Sequence, residues 1–248
     1  MKKSFGDSWE PSEFNLETTT TWSFPNRGSW ATHDPKYRGN WSPYVPRNLI
    51  LRYSQEGDLL LDQFVGSGTT LVEAKLLGRN SIGIDVNPHA IELSRTKTIL
   101  PPTYTSSATA MIGDARCLTA INNNSIDLIC THPPYANAIK YSSDLENDLS
   151  RVEYSEFITQ LKKVASESFR VLKPSKYCAI MMGDIRKNGS TVPLGFATLN
   201  TFISEGFKLK EIIIKQQLNC RSTRFWIQRS QKYNFLLLAH EYLFVLKK

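Results

Sequence analysis

Cysteine is scarce and scattered in these 248 residues: Cys117, Cys130, Cys178 and Cys220 stand singly, with no C-x-x-C pair and no histidine pair at ligand spacing. That argues against a zinc module and a disulfide framework, and fits a reducing compartment. Long apolar runs are missing too. No window approaches the roughly eighteen uninterrupted apolar residues of a membrane span, and Lys2 and Lys3 are not followed by the apolar stretch of a secretion signal. The expected setting is therefore cytoplasmic, with no membrane partner. There is no internal repeat, and the four histidines assemble into neither a triad nor a metal site. His33 and His89 read as surface residues, and His240 as a structural one.

What is present is enough chain for one large α/β domain with a substantial core. The formal net charge of +7 is compatible with a polyanionic partner, although its distribution matters more than its sum. Residues 1–35 are polar, rich in Thr, Trp and Pro, and without strand or helix period, so they read as an N-terminal arm lying over a main domain of residues 36–248.

From Leu59 the pattern is regular. Strands are expected at Leu59–Asp62, Ser81–Val86, Ala110–Gly113, Ile126–Cys130, Tyr177–Met182 and Glu211–Lys215. Helices are expected from about Pro46 to before Gly57, from Thr69 to Leu77 with a stop at Gly78, from Asn87-Pro88 to Lys97, and over the amphipathic stripe of Tyr154–Leu172. Phe235–Leu238 and Tyr242–Leu246 suit a closing hairpin. Alternation of strands and helices implies a Rossmann-like α/β fold, its sheet mostly parallel with an antiparallel C-terminal hairpin, with ligands at the strand carboxyl ends.

Two segments carry chemistry. In Asp62-Gln63-Phe64-Val65-Gly66-Ser67-Gly68-Thr69-Thr70, the two glycines allow a sharp turn and close approach of a ligand, and the threonines suit the first turn of a helix whose amides face it. Asp85 ends the next strand about 19 residues after Gly66, where an acid accepts from two ribose hydroxyls, a spacing that also serves dinucleotide enzymes. In Thr131-His132-Pro133-Pro134-Tyr135, the prolines fix the chain so that a carbonyl points into a pocket beside an aromatic ring.

Together these segments resemble the amino-methylating DNA methyltransferases, which carry an (Asp/Asn/Ser)-Pro-Pro-(Tyr/Phe/Trp) motif and often a Phe-x-Gly-x-Gly-Thr loop. The resemblance runs from about residue 38 to the C-terminus. Tyr37 to Ile50 is similar to the family segment that packs on the methionine end of the cofactor. The implied cofactor is S-adenosylmethionine, held by Asp62, Phe64, Gly66, Ser67, Gly68, Thr69, Asp85, Asp114 and Thr131. Asp85 would hold the ribose, Asp114 would lie near the adenine amine and Phe64 beside the adenosine. Asp62 supports this cofactor over a nicotinamide, because a carboxylate there attracts a cationic ligand and repels a pyrophosphate.

The resemblance makes His132, Pro133, Pro134 and Tyr135 catalytic. An exocyclic amine needs acceptors for its hydrogens if its lone pair is to face the methyl carbon, and Tyr135 would stack on a base flipped from the duplex or taken from a single strand, a contact worth ~1–3 kcal/mol. His132 departs from the motif, standing where Asp, Asn or Ser is usual. Neutral imidazole accepts a hydrogen bond and imidazolium does not, so activity is expected to fall as pH drops through a His132 pKa near ~6.5.

The implied partner is DNA, with no metal. The base is open between cytosine-N4 and adenine-N6, with a lean to cytosine because Thr131 offers a hydroxyl. No room remains for a separate target-recognition domain, so readout falls to short elements, among them Lys140 and Tyr141, and Arg221, Arg224, Trp226 and Arg229 within the basic stretch from Lys208 to Lys232. An RNA base methyltransferase, or an inactive cofactor-binding module needing a partner, is the alternative. A homodimer or a recognition subunit is compatible with the sequence.

Overall fold

The computed structural model describes residues 8–135, 149, 152–218 and 223–248. Its frame is an open sheet, and the sequence explains the local choices. Leu59–Asp62 (β2) is a short apolar run between the Gly57 turn and the glycine loop, and leads into Thr69–Leu76 (α2). Asn80–Asp85 (β3) follows Gly78, which sits at φ +77° and ends the helical turn. Pro88–Lys97 (α3) starts with proline in its first turn, while the Asn87 side chain accepts from the His89 amide. Ala108–Ile112 (β4) closes this half.

Ile126–Thr131 (β5) is buried along its whole length, as a central parallel strand covered on both faces should be. Its one charge, Asp127, lies between the ammonium groups of Lys173 and Lys176 at 2.8 and 3.1 Å. Tyr154–Val171 (α4) keeps one apolar stripe of Phe157, Leu161, Val164, Ala165 and Val171 against the sheet. The chain then continues through Leu172–Met182 (β6), the small ribbon Ile185–Lys187 (β7) and Ser190–Val192 (β8), Leu194–Ser204 (α5), Lys208–Gln216 (β9), Thr223–Tyr233 (α6) and His240–Lys247 (β10).

With Thr21–Trp22 (β1) on the edge and Tyr44–Tyr53 (α1) on one face, the described strands order as β1-β9-β10-β6-β5-β2-β3-β4. Every pairing in this sheet is parallel except those of β10, which is antiparallel to both β6 and β9. Consecutive residues face opposite layers. Leu60, Leu128, Met181 and Leu243 pack with α1, whereas Leu61, Ile129, Ile180 and Phe244 pack with α4 and α5.

Three expectations are corrected. Phe235–Leu238 is not a strand, because β6 and β9 already occupy both edges of β10; Leu236 is 85% exposed, and the C-terminal antiparallel pair is β9 with β10. The polar N-terminal residues contribute a strand, with Thr21 and Trp22 pairing to Ile214 and Lys215, and Trp22 fully buried. His33 is not on the surface: it is 7% exposed and its Nε2 donates to Glu73 at 2.7 Å. Among the described residues, no helix is long and apolar enough to cross a membrane.

Candidate active site

The parallel pairing puts the carboxyl ends of β2, β3, β4 and β5 on one edge, so Asp62, Asp85, Asp114 and Thr131 are neighbours in space. A cleft of about 850 Å³, including the solvent at its mouth, opens there, within the range of small-molecule sites. Asp62, Phe64, Gly66, Ser67, Asp85, Asp114, His132 and Pro134 line it, so both sequence motifs contribute to a single cavity. Gly68, Thr69, Thr131, Pro133 and Tyr135 belong to the same two segments but are not among the residues that line it.

The glycine loop is shaped to bring backbone close to a ligand. Gly66 and Gly68 sit at φ +49° and +86°, and a Cβ on Gly68 would come within 2.7 Å of Ser94 Oγ, so a side chain there is excluded by neighbour as well as by φ. The Ser67 hydroxyl on the cleft wall is buried without a hydrogen-bond partner among the described residues. A buried orphan hydroxyl beside a cavity is an unfilled contact of the kind a polar ligand completes.

Asp85 accepts from the Gly66 amide at 3.0 Å and the Asn87 amide at 2.9 Å, which aims its carboxylate and leaves capacity for hydroxyl donors. Asp114 is held by Arg116, Nη2 at 2.6 Å and Nε at 2.9 Å, and its pKa is lowered: burial pushes it up, but the Arg116 hydrogen bonds and charge outweigh burial. This carboxylate therefore stays ionised, with the guanidinium fixed beside it. Asp62 is 3% exposed and accepts from Thr70 Oγ1 (2.5 Å), Thr131 Oγ1 (2.9 Å) and the Phe64 amide (3.1 Å). Burial pushes its pKa up to about 6, with nearby Asp85 adding to the rise and the three donors opposing it. A buried carboxylate with no cation beside it gains most from a cationic ligand. These groups suit S-adenosylmethionine: hydroxyl acceptors at Asp85, a hydrogen-bonding hydroxyl at Ser67 and an anion at Asp62.

The Pro-Pro-Tyr turn follows β5. His132 stacks on Trp41, ring centroids 5.7 Å apart and planes 23° from parallel. Its Nε2 lies 3.1 Å from Tyr135 Oη, and Tyr135 donates at 2.5 Å to Glu241 Oε1 on β10. Glu241 in turn accepts at 2.9 Å from Lys215 on β9, the residue paired with it across the strands. An added Cβ on Gly183 would reach the Tyr135 ring at 3.1 Å, so this glycine admits the ring.

Burial pulls the His132 pKa down to about 4; Lys215 lowers it further and Glu241 only partly restores it. The expectation of a titration near neutrality is therefore corrected. The imidazole is neutral, and an acceptor, throughout the physiological range. The Thr131 hydroxyl, on which the lean to cytosine rested, is spent on Asp62.

Of the residues assigned to nucleic acid, Lys140, Tyr141 and Arg221 lie outside the described residues, as does the side chain of Arg224. Trp226 and Arg229 are on α6, which joins β9 to β10 and so projects from the edge that holds the cleft. Phe225, Trp226, Ile227 and Tyr233 are 43–56% exposed, and the Arg229 guanidinium lies over the rings of Phe225, Trp226 and Tyr233 at 5.3–5.7 Å. Lys215, by contrast, is consumed by Glu241.

Sequence reasoning left several wall residues without individual roles. Tyr37, Asn40 and Trp41 line the cleft, and Asn40 Oδ1 accepts from Thr69; their segment was legible only as a whole. Gln63 and Asn87 sit inside motifs already read. Glu241 gave no signal at all, being one acid in a strand about 106 residues from its partner.

Comparison with known proteins fits this geometry. The sequence matches the DNA methylase family over residues 1–96 and 126–248, and a methyltransferase domain described as RMKL-like over 49–181. It is similar to the type II methyltransferase M2.DpnII of Streptococcus pneumoniae, 43% identical over 68 residues that make 27% of this chain and 24% of the relative. It is also similar to the type II methyltransferase M2.MboI of Moraxella bovis, 35% identical over 97 residues, 39% of this chain and 33% of the relative. The matched segments thus span a third or less of those relatives' lengths. Among solved structures, TrmN from Thermus thermophilus superposes with a TM-score of 0.59 at 20% identity, covering 85% of this chain and 50% of that one. An S-adenosylmethionine-dependent methyltransferase from Methanosarcina mazei gives 0.56 at 18% identity, covering 81% and 96%. The fold is the Rossmann-like methyltransferase fold.

Proposed function

The chain belongs to the DNA methylase family of N6/N4 methyltransferases, and from that premise we propose that it methylates an exocyclic amine, cytosine-N4 or adenine-N6, of a base in DNA, as the modification arm of a restriction system. The observation that carries this reading is that His132 and Pro134 share one cleft with Asp62, Ser67 and Asp85. An amine placed at the first pair is then next to whatever the second set holds. S-adenosylmethionine, held by Asp62, Ser67 and Asp85, would supply an electrophilic methyl group on a sulfonium that leaves as a neutral thioether.

The chain's own residues do the positioning. Asp62 supplies negative charge at the end of β2, and Asp85 orients hydroxyls. His132 and a carbonyl of the Pro-Pro turn accept the amine hydrogens, so that the nitrogen lone pair is aimed rather than delocalised into the ring. Pro134 and Trp41, the latter stacked on His132, add apolar surface to the cleft wall.

Contact with DNA is assigned to α6. It projects from the sheet edge that also holds the cleft and combines exposed aromatic rings with cations, and the chain from Gln217 to Ala239 contains no acid. Such a surface suits phosphate contact plus base stacking. Target recognition by short elements of this kind, within a single catalytic domain behind its N-terminal arm, is part of the proposal.

The test is nucleoside mass spectrometry after incubation of duplex DNA, single-stranded DNA and total RNA with the protein and methyl-labelled S-adenosylmethionine. Labelled N4-methylcytosine or N6-methyladenine in DNA is the expected result and names the base. Label confined to RNA, or none despite cofactor binding, overturns it.

A further inference from the structure

The motif tyrosine is joined to an acid that the motif does not include. Tyr135 carries a single hydroxyl proton and donates it to Glu241 Oε1 at 2.5 Å, since an ionised carboxylate can only accept. Glu241 is ionised: burial pushes its pKa up, but the Lys215 ammonium and the hydrogen bonds from Tyr135 and Lys215 hold it below the ordinary value. Tyr135 Oη therefore has only lone pairs to offer His132 Nε2, 3.1 Å away, and the proton in that contact belongs to the imidazole. Glu241 Oε1, 3.9 Å from the same nitrogen, favours the same arrangement. In a neutral imidazole one nitrogen bears the proton and the other accepts. Nδ1 is then the acceptor, and among the described residues nothing hydrogen-bonds to it.

We propose that Lys215, Glu241 and Tyr135 form a positioning relay that locks His132 in the Nε2–H tautomer, so that Nδ1 faces the reaction as the acceptor for the target amine. The relay deepens the methyltransferase reading and rests on it. It accounts for histidine where the family motif has Asp, Asn or Ser. Oxygen side chains of Asp and Asn accept without any choice of tautomer, whereas an imidazole accepts only if the proton sits on the other nitrogen. Two strands far from the motif make that choice, the facing pair Lys215 and Glu241 on β9 and β10. Bond formation leaves the nitrogen as an N-methylated cation, a far stronger acid than imidazolium, so its extra proton passes to Nδ1 and on to water and leaves the neutral methylated amine. The imidazole returns to its neutral form because burial keeps its basicity low.

Glu241 and Lys215 are positioning residues, acting through Tyr135 and His132. The test joins a spectrum to kinetics, using the full chain. ¹⁵N NMR of histidine-labelled protein at pH 7, assigned by comparison with His132→Asn, is expected to report a protonated Nε2 and an unprotonated Nδ1. Tyr135→Phe keeps the stacking ring but removes the link, and Glu241→Gln can donate to Tyr135 and turn its hydroxyl proton toward His132. Both variants are expected to mix or invert the tautomers and to lower kcat at least about 100-fold, with the dissociation constant for S-adenosylmethionine unchanged. The unchanged cofactor affinity also certifies the fold, and Tyr135→Phe decides the matter if Glu241→Gln does not fold.

A wild-type spectrum with the proton on Nδ1, or variants that keep the wild-type tautomer and rate, overturn the relay. Failure of the methyltransferase reading looks different: the Nε2–H spectrum would be present and sensitive to both variants while no nucleic acid is labelled.

Discussion

Asp62, buried, and His132, partly buried, are two ionisable side chains at one cleft, and withdrawal from water moves them in opposite directions. Asp62 is raised from 3.8 to about 6. Its folded form keeps a proton that the unfolded chain has lost between those values, so its contribution to stability is complete below about 4 and disappears as pH rises through about 6. His132 is lowered from 6.5 to about 4. Its contribution is complete above about 6.5 and is lost as pH falls toward 4. The two slopes oppose each other across the same window, so the protein's stability near pH 5 is expected to vary less than either residue alone would cause. Asp62→Asn should leave the His132 slope exposed, with midpoints of chemical denaturation falling more steeply below pH 6.5 than in the wild type. Function separates the residues further. Affinity for S-adenosylmethionine should weaken by about tenfold per pH unit below 6 as Asp62 loses its charge, and calorimetric titration of Asp62→Asn should remove that dependence along with much of the affinity. The transfer step at saturating cofactor should show no limb from His132 between pH 5.5 and 8.

Secondary elements were legible in proportion to how far their neighbours enforce a period. α4 shows its 3.6-residue stripe, and β2 and β5 show the unbroken apolar runs of strands covered on both faces, because each is covered in a regular way and the side chains register that cover. α5 packs one face on α4, β6 and β10 yet gives no helical phase, since its exposed face carries Phe196 and Ile203 while Thr198 and Thr201 are buried. β1 is two residues long and has no period to show. α6 fails in the opposite way: Phe225, Trp226 and Ile227 are consecutive, point around the helix rather than along one stripe, and are all exposed, so tertiary packing left no pattern. A helix that buries none of its large apolar residues calls for a function that uses them. Trp226→Ala is expected to weaken DNA binding by ~1–3 kcal/mol with little change in stability or cofactor affinity. Arg229→Ala should lower the slope of log affinity against log salt by about one. Fluorescence anisotropy of a labelled duplex over a salt series reads both. Equal loss in both variants with an unchanged salt slope would point to unfolding of α6 instead of lost contacts.

On the scale of the whole molecule, the N-terminal arm ties the sheet edge to the cleft. Trp22 closes the sheet beside β9, Glu17 donates its amide to Asn48 Oδ1 on α1, and Thr32 donates to the Lys97 carbonyl at the end of α3. The arm then meets Glu73 of α2, a carboxylate with no exposed surface, which accepts from Trp30 Nε1 and His33 Nε2 at 2.7 Å and from Arg47 Nη1 at 3.0 Å. Glu10 pairs with the same guanidinium. Sequence could not disclose this knot, since its members come from positions 10, 30, 33, 47 and 73 and share no motif. Its consequence reaches the site because the chain leaving the arm becomes Tyr37, Asn40 and Trp41, and Trp41 is the ring on which His132 rests. Removing the carboxylate leaves the buried Arg47 guanidinium with only the partly exposed Glu10 and strands two buried N–H groups. Glu73→Ala is therefore expected to cost roughly 3–5 kcal/mol in urea denaturation. Under conditions where the variant is still folded, it should also loosen the cleft wall, weakening S-adenosylmethionine binding severalfold even though Glu73 touches neither cofactor nor substrate. Glu73→Gln keeps one acceptor for Trp30 and His33 and should lose less of both. A variant that loses the stability but keeps full cofactor affinity would mean that the arm braces the fold without shaping the cleft.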